Sequence, residues 1–188
     1  MTIPDGGGFA DLAQSGIALS CPCAVSDVNV KVTIPHTYSG DLTLRLRSPS
    51  GNIQFLDCTH KLQDCGSGTC IYGTSAQNIF TGTILCNCIF NLMHDFNPLS
   101  LSDTTRKFVH VNGARSTLLE TIFDQQAAVG IETVKTYPLT GTYKPFSGNL
   151  GALNGEMMTG TWTLLVSDHC GDNIGTIQQW CIQATCAG

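Results

Sequence analysis

The sequence predicts an all-β chain, an antiparallel β-sandwich interrupted by a cysteine-rich insertion. Three observations predict it. Apolar and polar residues alternate at period two in several short segments, Gly- and Pro-containing turns separate those segments, and helical periodicity is weak throughout. The 188 residues are enough for one generous domain around a single sizeable core.

The first clear strand runs through Asp27-Val28-Asn29-Val30-Lys31-Val32-Thr33-Ile34, where four β-branched residues line one face. Pro35 to Gly40 turns the chain. Leu42, Leu44 and Leu46 then alternate with Thr43, Arg45 and Arg47, which predicts buried leucines and exposed arginines. Ser48-Pro49-Ser50-Gly51-Asn52 has the Pro and Gly placement of a tight turn. Ile53 and Phe55 are expected to continue the inward face in a hairpin partner. Toward the other end Trp162, Leu164 and Val166 alternate, Gly171 to Gly175 form a loop, and Trp180, Ile182 and Ala184 make a closing strand. Ser116 to Gln126 is the only segment that reads as a short helix or turn. Between the flanks, from about residue 57 to about residue 121, alternation is poor and five cysteines accumulate. This stretch is expected to be a disulfide-tied excursion from one end of a single domain spanning residues 1–188, since a structureless loop of that length is improbable in a compact fold.

Charged residues make up 12% of the chain, against about 25% in an average soluble domain. The balance is 9 Lys+Arg against 14 Asp+Glu, net −5, with no run of either sign. A nucleic-acid footprint and a polybasic membrane patch are therefore not expected. No stretch approaches membrane-spanning length, so no membrane insertion is expected. The first residues carry neither a basic nor an apolar leader pattern, and an export signal is expected to lie outside them. An apolar content of 42% fits a packed core.

Ten cysteines, Cys21, Cys23, Cys58, Cys65, Cys70, Cys86, Cys88, Cys170, Cys181 and Cys186, point to an oxidising compartment and to disulfides whose connectivity spacing alone does not reveal. The C-x-C pairs Cys21-Pro22-Cys23 and Cys86-Asn87-Cys88 suit a shared zinc, but the C-x₂-C spacing of zinc modules is missing, and disulfides are the favoured reading.

Both flanks carry a recognisable order of segments. Ile3-Pro4-Asp5-Gly6, Val28 to Ile34 closing on His36-Thr37-Tyr38, Gly40-Asp41-Leu42 and Ser48-Pro49-Ser50-Gly51 form the first half. Phe123-Asp124 with Ala127-Ala128, Gly141-Thr142-Tyr143-Lys144-Pro145, Leu150 to Gly155, and Gly160-Thr161-Trp162-Thr163-Leu164 through Asp168, Gly171-Asp172, Gly175 and Trp180 form the second. Together they resemble the P/Homo B domain, the non-catalytic module that follows the catalytic domain in proprotein convertases, kexins and many bacterial subtilisin-like serine proteases. The resemblance covers about Ile3 to Leu56 and Ile122 to Thr185. It implies a jelly-roll β-sandwich, an accessory role beside a subtilisin-like catalytic domain in the same polypeptide, and a secreted protein. The long cysteine-rich insertion departs from the family pattern.

No catalytic residues are expected. Gly73-Thr74-Ser75-Ala76 resembles the start of the subtilisin nucleophile motif, but the partner motifs of a Ser-His-Asp triad are missing. His36, Ser39 and Asp41 read as turn residues. Calcium is the candidate cofactor: Asp168 and Asp172 flank a Gly-containing turn, Asp124 belongs to the matched Phe-Asp segment, and hard oxygen ligands on loops suit Ca²⁺, while the same aspartates also suit plain turn positions, where the side chain accepts from the backbone two residues on. Bacterial members of the resembled family often bind it. Trp162 and Trp180 sit at inward positions, which favours core packing over glycan stacking. Beside the accessory reading stand a structural or adhesive subunit of an extracellular assembly (filament, surface layer or virion), for which the low charge speaks because it leaves surface available to copies of itself or to other extracellular proteins, and a glycan-binding module.

Overall fold

The computed structural model describes residues 1–57, 117–134 and 136–187. Eight strands in chain order form two four-stranded sheets: β1 (Ala13–Leu19), β2 (Val25–Pro35), β3 (Leu42–Arg47), β4 (Ile53–Asp57), β5 (Thr117–Phe123), β6 (Leu139–Tyr143), β7 (Gly160–Asp168) and β8 (Gln179–Cys186). One sheet has the order β1-β7-β3-β4 and the other β6-β5-β2-β8. All neighbouring pairs are antiparallel except β5 and β6, which run parallel.

The core lies between the sheets, where the period-two pattern places it. Val28, Val30, Val32 and Ile34 of β2 face Leu42, Leu44 and Leu46 of β3 and Trp162, Leu164 and Val166 of β7, all buried. Each such aliphatic side chain contributes about 1.5–3 kcal/mol by leaving water. Trp162 and Trp180 are both in this layer, and each buried indole N–H is matched: Trp162 Nε1 donates to the Met158 carbonyl at 2.9 Å and Trp180 Nε1 to Ser15 Oγ at 2.9 Å.

Three expectations need correction. Ser116 to Gln126 is not helical; β5 occupies its centre. A register shift between Leu118 and Thr121, with Glu120 at φ 51°, inserts a bulge that breaks the alternation and leaves Thr117, Leu118 and Thr121 buried at an i, i+1, i+4 spacing that mimics a helix. Because β5 belongs to the sandwich, residues 117–121 are not part of the insertion, and residues 58–116 lie outside those described. Ile53 and Phe55 do not continue the inward face. They pair with Arg47 and Arg45 and share the outer face with them, and the register shift at Leu44/Arg45 turns Leu56 inward instead, where it is fully buried.

β2 fixes the geometry of the two ends. Its start pairs through Val25 with Cys186 of β8, and its end runs into His36, which bridges to Gly175. Eleven residues of strand separate these points by about 36 Å. Gly175 has no room for a side chain, since a Cβ there would collide with the His36 ring and the Pro35 carbonyl.

Candidate functional site

Chemistry-bearing side chains gather at both ends of the sandwich. At the far end of β2, His36 and Asp168 are fully buried and join the two sheets, His36 following β2 and Asp168 closing β7. The Tyr38 backbone N–H donates to His36 Nδ1 at 3.1 Å, so the ring proton sits on Nε2 and is donated to Asp168 Oδ2, also at 3.1 Å. The second oxygen of Asp168 accepts from the Cys170 N–H at 3.1 Å. Asp41, 4% exposed, accepts from Asn173 Nδ2 at 3.1 Å, and its carbonyl accepts from the His169 N–H at 3.0 Å. Thr37 closes the strap: its N–H donates to the Ile174 carbonyl at 3.1 Å, and its Oγ1 accepts from the Ile174 N–H at 2.9 Å.

This arrangement holds loops but does not activate a nucleophile. A triad histidine presents a bare ring nitrogen to a hydroxyl while its other nitrogen is held by a carboxylate. Here the bare nitrogen is occupied by a backbone N–H, and the protonated one faces the carboxylate. His36 and Asp41 are therefore buried anchors rather than the simple turn residues expected of them. Their partners lie more than a hundred residues away, so no local signal in the sequence announces the pairing.

The three aspartates expected to hold calcium are not brought together. Asp168 has both oxygens committed to His36 and Cys170. Asp172 lies on an exposed turn at φ 72°, its N–H donating to Asp5 Oδ2 at 3.2 Å. Asp124 follows Phe123, which pairs with Val30, six residues of chain before His36 and hence about 20 Å away along β2. Its Oδ1 accepts from the Gln126 N–H at 2.7 Å, the hydrogen bond of a local turn. One ion does not fit all three. Among the described residues the group of three ligand-type side chains that converges is Cys21, Cys23 and Cys186.

That sulfur cluster occupies the other end. Cys23 and Cys186 form a disulfide, and Cys21 Sγ lies 3.3 Å from Cys23 Sγ and 3.8 Å from Cys186 Sγ. Cys170 is disulfide-bonded as well. Cys181 corrects the expectation that every cysteine is a disulfide candidate: it is a free, buried thiol. Strand alternation explains why. Trp180, Ile182, Ala184 and Cys186 of β8 turn to the core, and Cys181 faces the other way, opposite Lys31 of β2. Burial pushes its pKa above the ordinary thiol value, with Lys31 opposing the rise. Cys58, Cys65, Cys70, Cys86 and Cys88, and Gly73 to Ala76, lie outside the described residues.

On the outer face of the first sheet, Arg45 stacks over Phe9 at 4.5 Å and stands 6.0 Å from Phe55. Burial lowers its pKa from the ordinary guanidinium value. Arg45 and Arg47 are thus half-buried rather than exposed as the alternation suggested.

Among the described residues, the buried His36–Asp168 pair is committed to holding the end of β2 against the end of β7. The sequence profile of the proprotein convertase P-domain matches residues 25–79 and 112–184. That is more than half of the chain, and the chain belongs to this family, a non-catalytic module. No curated protein matches. Among solved structures, the chain is similar to the serine protease of Aeromonas sobria in complex with its chaperone, with a TM-score of 0.50 and 16% identity over 100% of this chain and 25% of the protease chain. The serine protease of Aeromonas sobria solved without the chaperone is matched with a TM-score of 0.47 and 15% identity, over 99% of this chain and 24% of the other. The chain thus spans about a quarter of the length of these proteases, and the first of the two likenesses bears on the fold. Among the described residues no helix is long and apolar enough to cross a membrane.

Proposed function

We propose that the chain serves as the accessory domain of a secreted subtilisin-like serine protease, packing against the catalytic domain in the same polypeptide and stabilising it. The family match over residues 25–79 and 112–184 carries this reading. Two further observations support it. The Cys23–Cys186 disulfide suits an oxidising, exported environment, and the Asp168–His36 arrangement leaves no ring nitrogen for base catalysis.

The test uses the full-length product of the natural gene. A serine-directed fluorophosphonate should label the polypeptide outside residues 1–188, and deleting these residues should lower the melting temperature of the protease activity by several degrees. A polypeptide with no labelled serine, or a protease whose melt is unchanged by the deletion, would refute the accessory role. Large oligomers in light scattering of the isolated chain would move the assignment to an assembly subunit.

A further inference from the structure

The structure assigns Arg45 a docking role: we propose that the outer face of the first sheet receives an Asp or Glu side chain of the catalytic domain, held by the Arg45 guanidinium. The inference rests on the accessory role proposed above and names the point of contact. A cation without a counter-ion carries it. Nε and Nη2 of Arg45 are buried and make no hydrogen bond. Their N–H groups share one edge of the guanidinium, and the spacing along that edge matches the two oxygens of a single carboxylate. A buried donor left unpaired is costly, and more so when it carries charge. Among the described residues no ion pair reaches Arg45: Glu120 goes to Lys31 and Asp168 to His36. Burial lowers the Arg45 pKa, and no neighbouring acid opposes that shift.

The surroundings suit a partner better than solvent. The Phe9 ring lies 4.5 Å from the guanidinium carbon and the Phe55 ring 6.0 Å from it. Their attraction for the cation offsets part of the cost of burying it but gives the two N–H groups no acceptor. An arginine ringed by apolar groups that exclude water is the pattern of residues that dominate the energy of an interface. Arg47, two residues on, shares the face and is half-buried, and its hydrogen bonds go to the neutral Gln14 Oε1 at 3.4 Å and Thr163 Oγ1 at 3.5 Å. Ile53, its partner on β4, is 41% exposed. Two positive charges and apolar surface therefore stand together in a chain of net charge −5. The complementary surface is acidic with apolar flanks.

The way in runs past Phe9, which is 38% exposed and sits on the single 3-10 turn Gly8–Ala10. The chain enters that turn through Gly6, Gly7 and Gly8, with φ of 67° at Gly6 and 55° at Gly8. Glycine backbone reorients at little steric cost, so Phe9 can tilt and let a carboxylate reach the guanidinium edge.

Two measurements test this. On the 188-residue chain, sodium acetate is titrated against sodium chloride at matched ionic strength while the arginine Nε–H signals are followed by NMR. The Arg45 signal should move downfield and saturate with acetate, and the Arg47 signal should hold its place. In the full-length protease, Arg45→Lys keeps the charge and loses the fork, and Arg45→Met loses both. Both should lower the melting temperature of the protease activity, Met more than Lys. The urea midpoint of the isolated chain should be unchanged or raised in Arg45→Met, which no longer buries an unpaired charge. An Arg45 signal that stays in place, or moves no more than that of Arg47, overturns the proposal. A Met variant whose isolated chain loses stability in step with the protease overturns it too, by giving Arg45 a part in folding alone. If deleting residues 1–188 shifts the melt and Arg45→Met does not, the accessory role stands and this contact is wrong. If the deletion changes nothing, the accessory role falls and takes the docking role with it.

Discussion

The two ends of the sandwich solve the same mechanical problem with different chemistry. Each must hold strand ends in place where the strands run out, the disulfide within one sheet and hydrogen bonds between the two. At one end the Cys23–Cys186 bridge ties the approach to β2 to the end of β8, and Thr159 and Met158, just ahead of β7, reach across to Cys21 and Cys23. At the other, the His36–Asp168 hydrogen bond joins the end of β2 to the end of β7. The first clamp acts on the unfolded chain, by closing a loop of 163 residues in sequence separation. The second acts on the folded one, by satisfying buried polar groups. The difference teaches that one end is sensitive to redox state and the other to the identity of single side chains.

Breaking the covalent end should have the largest effect. For a loop of this length the chain-entropy account assigns the bridge about 5 kcal/mol. Cys186→Ser should lower the unfolding free energy measured in urea by up to that amount. Its slope with denaturant should also steepen, because the unfolded chain loses a constraint and exposes more surface. A variant as stable as the parent would show that the sandwich is held at this end by its backbone ladder alone.

The hydrogen-bonded end should respond less, and with chemical selectivity. Asp168→Ala strands the buried His36 Nε2–H and the half-buried Cys170 N–H, at a cost of about 3 kcal/mol. Asp168→Asn keeps one acceptor oxygen but turns an NH₂ toward the other donor, and should cost about 1–2 kcal/mol. Denaturant midpoints in the order parent, Asn, Ala are expected. If Asn and Ala coincide, the carboxylate matters through its charge and not through its two directed contacts.

How much of this was legible in the chain depends on range. Alternation in Val28 to Ile34, Leu42 to Leu46 and Trp162 to Val166 reports which face is buried, because that property repeats every second residue along a strand. β5 escaped because one bulge at Glu120 shifts its period, and Ile53 and Phe55 were placed on the wrong face because the offset at Leu44/Arg45 arises from pairing rather than from β4 itself. The ends were least legible. The residues were visible as candidates, His36 and Asp168 in matched segments and Cys21 and Cys23 as a C-x-C pair, but their partners come from the opposite terminus and are set by sheet packing. Asp168 shows the consequence: a strand-end carboxylate reads as a cation ligand until one oxygen is found bonded to His36 at the end of β2 and the other to the Cys170 N–H of its own loop.

Cys181 sharpens the comparison from between the ends. It sits on the same strand as Cys186, one face over, and is a buried thiol rather than a bridge partner. Its pKa is raised by burial and held back by Lys31, so at mildly alkaline pH less of it is thiolate than of an ordinary exposed cysteine, and alkylation should be slow. The rate should climb with pH about a midpoint above that of a free thiol in solution. Lys31→Met removes the opposing positive charge and should move the midpoint higher still, and added salt should move it in the same direction in the parent by screening Lys31. The same salt should leave the midpoint of Lys31→Met in place. A downward move on losing Lys31 would mean that the lysine acts on Cys181 by covering it rather than by charge, and that position on the sheet alone decides what each sulfur of β8 does.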